Sequence, residues 1–198
     1  RLWLVINCSN KVEVAQADDA VRIGKVDIPN CRYVTFKDRY AYVSSYVGSV
    51  YSDSNSPLGS VYKVDTLRLQ KVDSCSVGYQ PEEMAIIDNR LYVANSGGYQ
   101  GMTGQGYEST VSVIDLRTTQ ETDKIEVALN LHHVKADKYG QLWVTARGNY
   151  TNETGSLWWL TKGADGKMQV GGHLDQAVSD LCIVGDSLYF YGSQWSEV

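Results

Sequence analysis

The chain has 198 residues, 43% of them hydrophobic and 21% charged, with a formal net charge of −5. That balance supports a buried core, and the lack of a basic cluster excludes an electrostatic footprint for nucleic acid. No apolar run approaches the roughly 18 residues of a membrane-spanning helix, and 14 Tyr and 5 Trp against 2 Phe favour rings that pack while their polar tips stay wet.

Taken in chain order, one phrase keeps returning. The chain opens on Leu2-Trp3-Leu4-Val5, then repeats it as Ala41-Tyr42-Val43-Ser44, Leu91-Tyr92-Val93-Ala94, Leu142-Trp143-Val144-Thr145 and Leu188-Tyr189-Phe190-Tyr191. The aromatic positions are 39, 50, 51 and 46 residues apart, close to the period of a four-stranded propeller blade. A short strand is expected before the phrase, at 33–36, 84–87, 134–136 and 181–184. Polar or glycine turns at 37–39, 88–90, 138–140 and 185–187 join the two. A third strand follows at 11–15, 60–64, 110–114 and 156–160, and a fourth at 21–26, 70–74, 124–127 and 167–170. Alternation such as Ser112-Val113-Ile114-Asp115 fits antiparallel pairing. No segment holds a 3.6-residue apolar period long enough for a core helix.

The expected fold is therefore all-β, a β-propeller with four-stranded antiparallel blades. Three complete blades are placed near 30–78, 79–129 and 130–174, between incomplete ones at 1–29 and 175–198. With strands named a to d from the axis outwards, the chain enters at strand b and leaves after strand b. That leaves one strand too many for a closed four-blade ring, so a fragment of a larger ring is expected.

Two groups of candidate binding residues follow from this topology. The b–c loops are long at 45–59 and 96–109 and moderate at 147–155. They carry Tyr46, Tyr51, Tyr99, Tyr107, Arg147, Asn149 and Tyr150, with Asn95 at the edge of the second and Trp195 in the matching loop of the last blade. Such Tyr- and Asn-rich loops on one side of a rigid scaffold have the composition of contact surfaces. The second group stands where strand a begins on the same rim: Arg32-Tyr33, Glu82-Glu83, His132-His133 and Ser179-Asp180. The pair varies while the strand around it does not, which suits a polar funnel mouth at the axis. Neighbours in a strand point to opposite faces, so neither the His pair nor the Glu pair is expected to act together. Glu83 and His133, one from each of two blades, offer an alternative: a metal-dependent lyase or hydrolase site at the axis.

Cys8, Cys31, Cys75 and Cys182 have no zinc-like spacing. Unpaired small side chains are one reading. A Cys8–Cys31 disulfide is the other, because both fall near the same rim in neighbouring blades. No hydrolase, metalloprotease or phosphate-binding motif is present. The expectation is thus a protein that binds rather than catalyses, with no resident metal or cofactor.

The phrases Pro81-Glu82-Glu83-Met84-Ala85-Ile86, Asn89-Arg90-Leu91-Tyr92-Val93-Ala94-Asn95-Ser96-Gly97-Gly98 and Thr110-Val111-Ser112-Val113-Ile114-Asp115-Leu116 resemble the YVTN or YncE-like repeat propellers. Those are usually seven-bladed and are secreted or surface-located, so the resemblance implies a fragment of a seven-bladed ring. Lys135-Ala136-Asp137 with the stretch from Leu142 to Asn149 is similar to surface lipoprotein propellers of gut Bacteroidetes. One branch of those captures cobalamin and other corrinoids beside an outer-membrane transporter. A weaker likeness, through Leu142-Trp143-Val144-Thr145, runs to streptogramin-lyase-like propellers, but their closely spaced His and Glu ligands are missing. The resemblance implies a cell-surface, ligand-capturing propeller anchored through a segment outside this sequence. Its expected ligand is a corrinoid, or failing that a glycan, and an outer-membrane transporter is the expected partner. A scaffold that docks a membrane partner on the same rim is the third reading.

Overall fold

A computed structural model describes residues 1–50, 55–101, 104 and 106–192. It is all-β, built from antiparallel sheets that each hold consecutive strands. The first sheet has β1 (Leu2–Ile6), β2 (Lys11–Ala15) and β3 (Arg22–Asp27). The second has β4 (Cys31–Lys37), β5 (Tyr40–Ser45), β6 (Ser60–Asp65) and β7 (Gln70–Ser76). The third has β8 (Pro81–Ile87), β9 (Arg90–Asn95), β10 (Thr110–Asp115) and β11 (Gln120–Glu126). The fourth has β12 (Leu131–Ala136), β13 (Leu142–Ala146), β14 (Ser156–Lys162) and β15 (Met168–Leu174). The last pairs β16 (Asp180–Val184) with β17 (Ser187–Tyr191). Strands β4, β8, β12 and β16 are the strands a, and each lies against its counterpart in the next sheet. This is the expected propeller of four-stranded blades.

The recurring phrase is strand b, and its composition follows from its position. Strands b lie inside the blades, so β5, β9 and β13 are buried on both faces and read as nearly unbroken apolar runs. Their side chains fill the gaps between blades. Val43 packs with Val12 and Ile28 towards the first sheet, and Leu91 and Val93 pack with Val61 and Val77 towards the second. Leu142 and Val144 pack with Tyr92 and Val111 towards the third. Each fully buried Val or Leu contributes about 1.5–3 kcal/mol, so these rows fix the blades side by side. The a–b hairpins of the second and third blades turn on two residues, with Asp38 (φ 54°) and Asp88 (φ 55°) in the left-handed region that Asp tolerates.

The expected strands b and c agree with the structure to within two residues. Strand d of the third blade begins at Gln120 instead of Lys124, and that of the fourth runs to Leu174. The complete strands a begin two or three residues earlier than expected, at Cys31, Pro81 and Leu131. The Cys8–Cys31 disulfide is absent. All four cysteines are free thiols, with Cys31 and Cys75 buried and Cys8 and Cys182 exposed. Cys31 instead donates its thiol to the Lys11 carbonyl at 3.3 Å. No helix among the described residues is long and apolar enough to cross a membrane.

Candidate functional site

The early start of strand a creates the site. In β4 the register runs Cys31↔Ser45 and then Val34↔Val43, so Arg32 and Tyr33 together oppose Ser44. The same shift makes Glu82 and Glu83 oppose Ala94, and His132 and His133 oppose Thr145. Each is a β-bulge, in which one extra residue breaks the alternation of faces. The expectation that His132 and His133 diverge is therefore wrong: their ring centroids are 4.2 Å apart. Side chains of strand b complete two of the bulges. Ser44 Oγ accepts the Tyr33 N–H at 3.1 Å, and Thr145 Oγ1 accepts the His133 N–H at 3.0 Å. The residue before each of these strands, Asn30, Gln80 or Asn130, has a positive φ of 40–61°. Asn30 and Asn130 each donate their amide to the b–c loop, at Gly48 O (3.1 Å) and Gly148 O (3.2 Å).

Glu82 is the hub of the resulting cluster, and it is 3% exposed. Arg32 donates to both its oxygens, at 3.1 and 3.3 Å, and the Tyr46 hydroxyl also donates to it. The Arg32 guanidinium lies 4.7 Å from the centre of the Tyr46 ring. Burial opposes the Arg32 charge, but the Glu82 carboxylate outweighs it and holds the guanidinium above its usual pKa. Burial, then Glu82, pushes the Tyr46 phenol up. Burial, then Glu82 and Glu83, takes Tyr33 to about 12, so both phenols stay protonated.

Glu83 gathers the neighbouring set. It accepts from the Lys135 ammonium and from the Val134 N–H at 3.3 Å, and it meets His133 Nδ1 at 3.0 Å. Asp180 Oδ1, from the next blade, is 3.5 Å from the same nitrogen. His132 behaves differently. Burial, then the Arg147, His133 and Arg32 charges, pulls its imidazole down to about 2, so it is neutral. Its Nε2 sits 3.9 Å from Glu82, beyond hydrogen-bond distance. Its buried Nδ1 has no hydrogen-bond partner.

The rim tyrosines join this centre through Tyr46, whose ring meets Tyr99 edge-on at 6.4 Å. Farther out, Tyr107 meets Tyr150 edge-on at 6.3 Å. Tyr99 and Tyr150 are exposed, and Tyr46 is buried.

Of the expected binding residues, Arg32, Tyr33, Tyr46, Glu82, Glu83, His132, His133 and Asp180 converge around the axis. Arg147 lies at the end of β13 beside them. Tyr99, Tyr107 and Tyr150 form the outer rim. Asn95 is fully buried and donates to Thr110 and Ser112 inside its blade. Asn149 organises its own loop, accepting from Thr151, Asn152 and Glu153. Neither presents its amide as expected. Tyr51 and Trp195 lie outside the described residues. The sequence reading missed Lys135, and it missed Ser44 and Thr145 as supports of the bulges. The fifty-residue spacing of Asn30, Gln80 and Asn130 was the available signal. Among the described residues, no group of three or more His, Cys, Asp or Glu is arranged to hold a metal ion.

No family model and no curated protein matches the sequence. Solved structures do share the fold. A hydrazine synthase of Kuenenia stuttgartiensis superposes with a TM-score of 0.68 at 19% identity, over 87% of this chain and 45% of its own. The dihydro-heme d1 dehydrogenase NirN, in complex with DHE, gives 0.67 at 15% identity, over 96% and 39%. A Bacteroides caccae protein of unknown function gives 0.62 at 10% identity, over 96% and 66%. The chain thus spans less than half of the first two. The expectation of a protein that binds rather than catalyses is overturned, because two of these structures are enzymes. At such identities the likeness fixes the fold alone.

Proposed function

We propose that this chain is the ligand-capturing part of a cell-surface propeller of the YncE-like, lipoprotein type. Its ligand rests on the b–c rim over the axis. The observation that carries the reading is the convergence of variable polar pairs, buried or half-buried, from three blades beneath a rim of exposed tyrosines. Propellers of one fold differ in what their loops and strand ends present, so the site, not the scaffold, sets the ligand. Edge-packed Tyr99 and Tyr150 are large contact surfaces already restrained before binding, which lowers the entropy cost of association. A corrinoid is the first ligand to test, since a flat macrocycle rimmed by amides suits such rings with polar partners. A glycan is the second. Capture at the outer surface, with hand-over to an outer-membrane transporter, completes the proposal.

Calorimetry with cobalamin, cobinamide and an oligosaccharide panel tests it. Binding that weakens at least tenfold in Tyr99→Ala supports the rim. No heat from either corrinoid at micromolar concentration removes the corrinoid, and none from the whole panel removes small-molecule capture.

A second reading rests on the 3.0 Å contact between Glu83 and His133. A carboxylate that orients an imidazole is the arrangement of a general base. This reading places hydrolase or lyase chemistry at the axis. Turnover of a substrate panel that is unchanged in His133→Ala rules it out.

A further inference from the structure

Three polar groups near the axis have no side-chain partner among the described residues. Arg147 is exposed, and no carboxylate among the described residues pairs with its guanidinium. Arg32, Arg39 and Arg117 each pair with a carboxylate: Arg32 with Glu82, Arg39 with Asp65, Arg117 with Asp115. The Tyr33 hydroxyl makes no hydrogen bond among the described residues, and its ring centroid is 6.0 Å from that of His132. The Arg147 backbone N–H donates to Asn130 O at 3.0 Å, two residues before His132, and the Arg147 charge acts on both side chains. The third group is His132 Nδ1, buried and unpaired on a side chain more than nine-tenths buried. A buried polar atom with no partner costs about 1–3 kcal/mol, so it stands out in a cluster where Glu82 and Glu83 are so fully engaged.

The tautomer of His132 follows from its surroundings. Nε2 is the nitrogen that faces the Glu82 carboxylate, and a carboxylate favours a proton on the nitrogen nearest to it. Nδ1 therefore presents a lone pair, and the group it awaits is a hydrogen-bond donor. Arg147 and Tyr33 present the opposite chemistry, N–H and O–H donors beside a positive charge. A guanidinium is the preferred side chain for carboxylate and phosphate.

Resting on the rim-capture reading, we infer that this mouth binds an anionic oxygen group next to a hydroxyl, as in a sugar acid or a sugar phosphate. Arg147 and Tyr33 donate to the anion, and the adjacent hydroxyl donates to His132 Nδ1. The ribose phosphate of cobalamin, which cobinamide lacks, has the same chemistry.

The test uses galacturonate and ribose 5-phosphate as probes, with galactose and ribose as their neutral counterparts. Binding is followed by nitrogen NMR of the histidine rings and by calorimetry. The expected result is that the acids shift the His132 Nδ1 resonance and bind at least tenfold more tightly than the neutral sugars. Arg147→Ala, an exposed change that the fold tolerates, then removes the difference, and Arg147→Lys restores part of it. A preference for only one acid assigns the anion to carboxylate or to phosphate. The inference is overturned if neither acid shifts His132 at tens of millimolar, or if acids and neutral sugars bind alike. It is also overturned if Arg147→Ala leaves the preference intact. Cobalamin and cobinamide separate this inference from the rim reading. Equal affinity for the two, lost in Tyr99→Ala but not in Arg147→Ala, leaves the rim standing and removes the anion pocket.

Discussion

The two rims of the propeller use the same ionic link between blades in opposite settings. At the axial end Arg32 reaches from the second blade to Glu82 of the third, with side chains 18% and 4% exposed. At the short-turn end Lys162 of the fourth blade reaches Asp88 of the third at 3.0 Å, with side chains 46% and 74% exposed. The attraction is comparable in geometry, but only the first pair has been taken out of water. A buried pair gains little over a well-packed apolar pair, and losing one member strands the other charge. An exposed pair is screened and mobile, and contributes little. The axial charges are thus costly features that packing alone does not require, which is why they read as a site.

The largest expected effect breaks this contrast at its centre. Glu82→Gln leaves Arg32 buried without a counter-charge and weakens the acceptor of Tyr46, and should cost about 3 kcal/mol. Urea denaturation measures it as a lowered midpoint at unchanged slope. A cost within experimental error would mean that the axial cluster is solvated like the opposite rim.

The second effect is pH dependence. His132 is held neutral, with a folded pKa of about 2 against an ordinary value near 6.5. The groups around it are Arg32, Glu82, Arg147, His133 and Tyr33. Below pH 6.5 the unfolded chain takes up a proton at this histidine that the folded chain refuses. The contribution of His132 to stability is therefore complete above pH 6.5 and falls with pH at up to about 1.4 kcal/mol per unit. Between pH 7.5 and 5 the loss is about 2 kcal/mol. Subtracting the curve of His132→Phe removes the groups common to both proteins, and the difference should slope in this sense. A flat difference would show that water reaches the imidazole.

The third effect concerns the bulge. Thr145→Val keeps the shape of the side chain and removes the acceptor of the His133 N–H. The expected cost is about 1–2 kcal/mol. The nuclear Overhauser contact between the His132 and His133 rings should weaken with it. Ala94 stands at the matching place in the third blade, so Ala94→Thr is expected to be better tolerated than Thr145→Val.

These residues also show why the fold was easier to read than the site. In the complete blades strand b is buried on both faces, and its apolar phrase, present in every copy, set the period. A bulge adds a single residue and leaves composition and spacing untouched. Period-two alternation therefore separated His132 from His133 when the chain brings them together. The rim tyrosines could be read because large exposed rings in long loops are uncommon. Asn95 and Asn149 could not, because an amide that ties down its own backbone has the same sequence signature as one offered to a ligand. The hydroxyls of Ser44 and Thr145 were hidden inside the most regular part of the repeat.

The smallest effect returns to the short-turn rim. Asp88 holds a left-handed φ of 55° in its hairpin, and its carboxyl is kept below the usual range by the hydrogen bond and charge of Lys162. Such a depressed carboxylate would in principle favour the folded state above pH 4. Its exposure means that solvent and salt screen the attraction. Asp88→Asn keeps a residue that tolerates the left-handed region and removes only the charge, which separates electrostatics from turn geometry. The urea midpoint should not move measurably at 0.15 M salt, while Asp88→Val, a β-branched residue forced into that φ, should lower it. A large loss in Asp88→Asn would mean that the two rims are held by the same physics, and that burial is not what distinguishes the axial cluster.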